Sequence, residues 1–572
     1  MSILCRPRVL ACAAAALAVC LLETASPADS RNAGREGQAW WQHAVFYEIY
    51  PRSFADSNND GIGDLNGIRS RLDYLRWLGV DAIWLTPMFP SPQVDFGYDV
   101  SDYENVNPEY GSLADLDRLI AEAKQKKVRV VLDFVMNHTS DQHPWFRESA
   151  SSRKNPKRDW YVWRDSRQPG RPPNNWVSTF GGPAWKFDPR TSQWYYHYFY
   201  PQQPDLNWRN PAVEKAMFDV TRWWYRRGVA GFRLDAVDTL FEDPELRDNP
   251  VIDDRRNAYG DPLENEIHNK KLPELHTELQ RLRKVADEYD AVLIGETWTH
   301  DISELKAYYG AHGNELHLPM DFMFARVDRL SAPEFRRQIA AVDGAGGWPT
   351  YVLSNHDIRR AYERYGDRRH NDQIAKLMAA LYLTLRGTPI LYYGEELGME
   401  NNDPKRREDV KDPIGKLGWP KEKGRDGERT PMQWDAGPNA GFSRATPWNP
   451  AGPRFRQYNV AVERDDPGSI LNFYRRLLAL RHTDPALLEG QYLPLDENDP
   501  TVLAYLRRDR GRNVLVVLNM SAEPRIFHPD LAARGVRSTR ATTLLASPAA
   551  PIMARPDEIT LEPFGVYIGA LS

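Results

Sequence analysis

Cysteine is nearly absent. The 572-residue chain has three, and Cys5, Cys12 and Cys20 all lie within its first 28 residues. A fold stapled by disulfides is therefore excluded for the rest of the chain. Charge of one sign is lacking as well: the net charge is −5, which gives no reason to expect nucleic acid or an anionic membrane as partner. Internal repeats are missing, and so are low-complexity runs outside the leader. Long apolar runs are missing too, except for Val9 to Leu22, which is too short for a comfortable transmembrane helix.

That run is the middle of an export signal over residues 1–28. Arg6 and Arg8 form the basic n-region, and Ser26-Pro27-Ala28 is a small-residue cleavage site. The expected location is periplasmic or secreted. Leu17-Ala18-Val19-Cys20 partly matches a lipoprotein cleavage site, but Val19 is large and apolar residues follow Cys20. Lipid anchoring is the lesser alternative.

What remains is long and rich in aromatics. It exceeds one hydrophobic core, so a large catalytic domain with smaller additions is expected. Tryptophan is common at 18 residues, and these rings serve either as core or as flat faces for stacking on sugars.

One grammar recurs along the chain. Asn210-Pro211 reads as an N-cap and N1 proline opening a helix to Arg227, with Gly228 as its stop. The strand Gly231–Asp235 follows, ending in Arg233 and Asp235. Val130–Val135 runs likewise into Asn137 and His138, Val292–Gly295 into Glu296, and Tyr351–Leu353 into His356 and Asp357. Short apolar strands between helical patterns indicate an α/β protein with a parallel sheet. Polar groups gathered at strand ends indicate a (β/α)₈ barrel. The other strands are read at Val45–Ile49, Ala82–Leu85, Met320–Phe322 and Pro389–Tyr393.

The barrel spans 40–138 and 206–486. Between them, residues 139–205 lose periodicity and concentrate tryptophans, which reads as an inserted domain overhanging the barrel mouth. A second excursion, 395–456, is rich in charge, Gly and Pro. Residues 487–572 read as a C-terminal antiparallel β-sandwich.

Asp56 to Asp64 spaces oxygen-bearing side chains at alternate positions with glycine at the sixth. This matches a calcium loop using Asp56, Asn58, Asp60, Asp64 and the Ile62 carbonyl. The twelfth position is Gly67, not a bidentate glutamate, so a single structural ion is expected. An Asx-rich turn without metal is the alternative.

Taken together, these residues resemble the α-amylase family of glycoside hydrolases, in its α-glucosidase and oligo-1,6-glucosidase branch. Five signatures occur in the family's order: Asp133–His138, Gln203–Trp208, Gly231–Asp235, Gly295-Glu296-Thr297 and Asn355-His356-Asp357. The resemblance implies Asp235 as nucleophile, Glu296 as general acid/base and Asp357 as a third carboxylate gripping sugar hydroxyls. Such an enzyme needs one carboxylate ionised and one protonated, about 5–5.5 Å apart if configuration is retained. Arg233, on the same strand face as Asp235, is expected to keep it ionised, and partial desolvation to suit Glu296 to its acid role.

By the same resemblance His138 and His356 bind hydroxyls of the terminal glucose and Tyr98 stacks beneath it. Asp99 with Arg429 closes the pocket behind that sugar, making the enzyme exo-acting. Phe180, Phe199 and Gln203 line the pocket from the inserted domain. The loop Asp56–Asp64 matches the branch's metal site, for calcium or for magnesium in its place. Ala236, after the nucleophile, favours α-1,4 over α-1,6 linkages in that branch, hence maltose- or sucrose-type α-glucosides. Size differences of this kind discriminate only modestly.

Two other readings compete. One is a glucosyl-transferring or sucrose-isomerising enzyme of the same fold, echoed by Arg326-Val327-Asp328-Arg329. The other is a non-catalytic binding protein on this fold, set back by the presence of all three carboxylates.

Overall fold

The computed structural model describes residues 38–495 and 497–572, so the leader expected at 1–28 lies outside the described residues. The fold lies in the unit Trp41–Ser572, and of the residues before it only 38–40 are described.

Eight parallel strands form the central sheet: β1 (Phe46–Ile49), β2 (Ala82–Leu85), β3 (Arg129–Val135), β4 (Gly231–Asp235), β5 (Val292–Gly295), β6 (Leu318–Pro319), β7 (Thr350–Val352) and β8 (Thr388–Tyr392). Consecutive strands pair side by side, and β1 pairs with both β2 and β8. A single parallel bridge, Asp321 to Tyr351, joins the ends of β6 and β7 and brings the barrel close to closure. β6 begins two residues earlier than the sequence suggests. Asp321 does not continue it, because its carboxylate accepts the N–H groups of Met323 and Phe324 and caps the short helix Phe322–Ala325.

The helices start where their caps dictate. Ser112 and Asp115 form a capping box for Leu113–Gln125. Asn210 caps Pro211–Arg226, with proline at the first position. The helix buries Val213, Met217, Val220, Thr221 and Trp224, a spacing that turns one face inward.

The inserted domain folds around a three-stranded sheet, Trp163–Arg164, Gln193–Tyr196 and Trp185–Asp188. Its own core holds Trp176, Trp185, Tyr196, Tyr198 and, from beyond β4, Leu246. Trp163 and Trp208 belong to the barrel's core, with Trp145 and Trp160 packed against it. These tryptophans are therefore mostly structural.

The C-terminal domain has a six-stranded antiparallel sheet and a two-stranded one, Arg525–Phe527 with Ile559–Leu561. Strand alternation splits the larger sheet's side chains. Val502, Ala504, Leu506, Leu515 and Val517 meet Phe527, Ile559 and Leu561 in a private core. Leu503, Tyr505, Val514, Val516 and Leu518 join the barrel's core. Among the described residues, no helix is long and apolar enough to cross a membrane.

Candidate active site

Strand register assembles the centre. On β4, Arg233 and Asp235 share a face because they are two residues apart. Arg233 lies directly across from Asp133 on β3 and Ile294 on β5. Glu296 is one residue past β5, its N–H bonded to the Leu234 carbonyl at 3.0 Å.

One fully buried guanidinium then holds three carboxylates. Arg233 Nη1 lies 2.9 Å from Asp133 Oδ1 and 2.6 Å from Asp235 Oδ1, and Nη2 lies 2.7 Å from Glu296 Oε2. Trp84 adds its ring 5.1 Å from this guanidinium and its indole N–H to Asp133. Burial pushes Asp133 up to about 6, against the pull of Arg233. It also carries Asp235 well above the usual carboxylate range; Arg233 opposes this, while Glu296 and Asp133 add to it. The expectation that Arg233 keeps Asp235 ionised therefore meets a stronger opposing force. Three carboxylates around one cation favour retaining a proton within the group. A pair of carboxyls that divides one proton is what acid-assisted displacement needs.

The third carboxylate sits in the opposite environment. Asp357 Oδ1 receives Arg429 Nη2 at 2.6 Å and Arg425 Nη1 at 3.1 Å, and His356 Nε2 lies 3.5 Å from its Oδ2. Burial opposes its ionisation, but the Arg425 and Arg429 guanidinium groups prevail and hold it well below the ordinary range. Asp357 is thus a fixed anion.

His356 is fully buried, and burial keeps it neutral. Its Nδ1 lies 2.6 Å from Glu48 Oε1 and its Nε2 lies 2.6 Å from the Tyr98 hydroxyl. That hydroxyl reaches Asp133 Oδ2 at 3.2 Å. A continuous buried chain, Glu48–His356–Tyr98–Asp133, thus runs from β1 to the central cluster. Gly97, at φ +108, makes the turn that delivers Tyr98, and a Cβ there would meet the Pro87 carbonyl oxygen at 2.7 Å.

Asp99 does not meet Arg429. Its carboxylate accepts the N–H groups of Val94 and Asp95 at 3.0 Å each and the Ser91 hydroxyl at 2.8 Å. Asp99 therefore shapes the turn behind the pocket, and Asp95 is the carboxylate that turn presents. Asp95 Oδ1 lies 2.7 Å from Arg425 Nη2, and the same guanidinium binds Asp412 at 2.8 Å. Arg429 instead binds the His356 carbonyl and Asp357, with its guanidinium 5.3 Å from the centre of the Tyr50 ring.

From the inserted domain, Phe180 and Phe199 line the cavity. Phe199 packs 5.0 Å from the His138 ring, and the Arg425 guanidinium lies 5.6 Å from that of Phe180. Gln203 is buried behind them and donates to Asp95 at 3.2 Å. Its amide nitrogen also lies 3.1 Å from His138 Nε2, and burial lowers His138 to about 3. The cavity encloses about 410 Å³, with Asp235, Glu296 and Asp357 on its wall.

The comparisons with known proteins agree with this geometry. The profile of the α-amylase catalytic domain matches residues 48–490, and that of the maltogenic amylase C-terminal domain matches residues 493–568. The chain belongs to the α-amylase family of glycoside hydrolases. A probable α-glucosidase of Rhizobium meliloti (strain 1021) is 46% identical over 85% of this chain and 90% of its own length. An oligo-1,6-glucosidase of Parageobacillus thermoglucosidasius is 38% identical over 86% and 92%. Among solved structures, the trehalulose synthase of Pseudomonas mesoacidophila MX-45 superposes with a TM-score of 0.85 at 39% identity, covering 94% of this chain and 100% of that one.

Other residues of this α-amylase-family site escape sequence reading. Asp95 and Arg425 meet across 330 positions. Trp298, Lys270 and Arg326 also line the cavity, and Glu48 is hidden inside β1. Arg326 was marked by its arginine-rich stretch, and nothing distinguishes the others in one sequence.

The loop Asp56–Asp64 turns its oxygens inward. Asp56 accepts the N–H groups of Asn58, Asn59 and Gly61, Asn58 that of Asp60, and Asp60 that of Ile62. Asp64 instead accepts the N–H groups of Ser57 and Gly67, the latter capping the helix Leu65–Ser70. Among the described residues, no three His, Cys, Asp or Glu side chains are gathered closely enough to hold a metal ion by themselves. The Asn58 amide and Ile62 carbonyl would complete the donor set. All five donors are hard oxygens, which fits calcium.

Proposed function

We propose that the protein is an exo-acting, retaining α-glucosidase that releases terminal non-reducing glucose, with α-1,4-linked, maltose- or sucrose-type substrates preferred. The observation that carries this reading is the closed end of the pocket. Arg425 binds Asp95, Asp412 and Asp357 together, so a wall of paired charges stands behind the bound sugar. The names of the relatives, α-glucosidase and oligo-1,6-glucosidase, support it.

In this reading Asp357, held ionised, grips hydroxyls of the glucose while Tyr98 lies beneath it. Asp235 attacks C1 as Glu296 gives its proton to the departing oxygen. Glu296 then takes a proton from water, which displaces Asp235 and restores the site. Asp235 and Glu296 bind the two Nη atoms of one guanidinium, and this shared partner supports the shorter, retaining separation. The α-1,4 preference rests on Ala236, which is left-handed at φ +46.

Sugar release from maltose, isomaltose and sucrose, with Asp235→Asn alongside, tests the reading. Rapid glucose release from maltose, lost in the variant, is expected. Isomaltose as the best substrate would overturn the linkage preference, and no turnover of any sugar would overturn the whole.

A second reading is favoured by Arg326, which lines the pocket, and by the likeness to trehalulose synthase. It makes the enzyme transfer glucose or isomerise sucrose, and new disaccharides formed from sucrose would establish it.

We further propose one structural calcium ion, or magnesium in its place, held by Asp56, Asn58, Asp60, Asp64 and the Ile62 carbonyl. The ion would tie the loop's anionic oxygens together and takes no part in bond cleavage. Export to the periplasm or medium is proposed from the leader at 1–28, and fractionation of the producing cell tests it.

A further inference from the structure

We infer that Trp298 is a positioning residue for Glu296, its indole N–H fixing the carboxylate oxygen that faces the leaving-group side of the pocket. The inference rests on the glucosidase reading and deepens it.

Glu296 is held from two directions. Its Oε2 is fixed from the end of β4, by Arg233 Nη2 at 2.7 Å and the Ala236 N–H at 2.9 Å. Its Oε1 receives the Trp298 indole N–H at 2.9 Å. Without Trp298 the carboxyl would be held through Oε2 alone, leaving its terminal torsion, which is broad and soft, less restrained.

The indole is itself braced. It stacks on Phe322 with ring centres 4.2 Å apart and planes 7° apart. Phe322 opens the short helix capped by Asp321, so that ring is fixed to the end of β6. The Arg326 guanidinium lies 5.2 Å from the indole centre, and its Nη1 donates to the Thr299 carbonyl at 3.0 Å. A tryptophan serving only as a wall needs the stacking. It does not need its N–H aimed at the catalytic oxygen.

The consequence follows from what an N–H can do. It stabilises the ionised carboxylate more than the protonated one, so it eases transfer of the Glu296 proton to the leaving oxygen. It also sets the direction in which a proton carried on Oε1 points at that oxygen.

Trp298→Phe keeps a ring against Phe322 and removes the N–H. Two α-glucosides separate the roles: maltose, whose leaving group needs the acid, and 4-nitrophenyl α-glucoside, whose leaving group does not. The expected result is a fall in kcat/KM of about 10²-fold for maltose and within about threefold for the aryl glucoside. The alkaline limb of the maltose profile should move up by roughly half to one pH unit. Trp298→His, which retains a ring N–H, should recover part of the maltose activity. Equal losses on both substrates, or an unmoved pH profile in both variants, would overturn the inference. A wild-type enzyme that cleaves neither substrate would overturn the glucosidase reading itself, and the inference with it.

Discussion

Asp95 and Arg425 stand 330 positions apart in sequence and 2.7 Å apart in space, and both line the pocket, where their pairing is proposed to close its end. Removing either partner alone strands a buried charge, which is costly for reasons unrelated to substrate. Removing both, as Asp95→Ala with Arg425→Ala, tests the closure, and Asp412, the other buried partner of Arg425, keeps the backbone N–H groups of Ile414 and residue 425. The wild type is expected to leave malto-oligosaccharides with a blocked non-reducing end intact. The double variant should begin to cleave them while its KM for maltose rises about tenfold. Continued inertness toward blocked chains would show that something else closes the pocket.

Glu48 offers a sharper contrast. Burial carries it well above the usual carboxylate range, and its partner His356 is neutral, so the pair holds no net charge. Glu48→Gln mimics the protonated acid and should keep activity within about threefold, whereas Glu48→Leu leaves His356 unpartnered on that side and should lower kcat/KM about 10- to 100-fold. Equal losses in the two variants would argue against a protonated Glu48.

Away from the site, Glu463 is pushed up to about 9 by burial, with Glu396 and Asp372 adding to the rise and the Leu471 N–H and Lys376 opposing it. Because its folded-state value lies above its ordinary 4.5, folding takes up a proton. Its contribution is fully present below pH 4.5 and is lost as pH rises towards 9. Glu463→Gln should therefore raise Tm by a few degrees near pH 9 and change little near pH 5. Melting curves at the two pH values decide it, and an equal effect at both would refute the linkage.

The calcium proposal is checked by melting the protein after chelation and again with added Ca²⁺. At 100 times its dissociation constant a ligand stabilises the folded state by about 2.7 kcal/mol, and Asp60→Asn should abolish most of that gain. A Tm indifferent to both chelator and calcium would leave the loop as a hydrogen-bonded turn.

Much of this was legible in the sequence because it follows from local rules. The strands at Gly231 and Val292 are apolar runs behind capped helices, so the placement of Asp235 and Glu296 at strand ends was readable. β6 was placed two residues late because Met320 and Phe322 look extended, whereas Asp321 turns the chain there. The resemblance points to Asp99, whereas the tight turn before Tyr98 holds two carboxylates, Asp95 and Asp99. Which of them faces the pocket depends on which accepts the turn's own N–H groups. Arg425 is not legible for a plainer reason: its excursion holds many arginines, and only tertiary contact selects one.

The six-stranded C-terminal sheet has no water-facing side to spare, since one face belongs to its own core and the other to the barrel's. Cutting the chain near residue 486 would strip the barrel of an inner lining and leave two apolar surfaces exposed. The last 80 or so residues are thus not a detachable appendage, and barrel and sheet should melt in one transition.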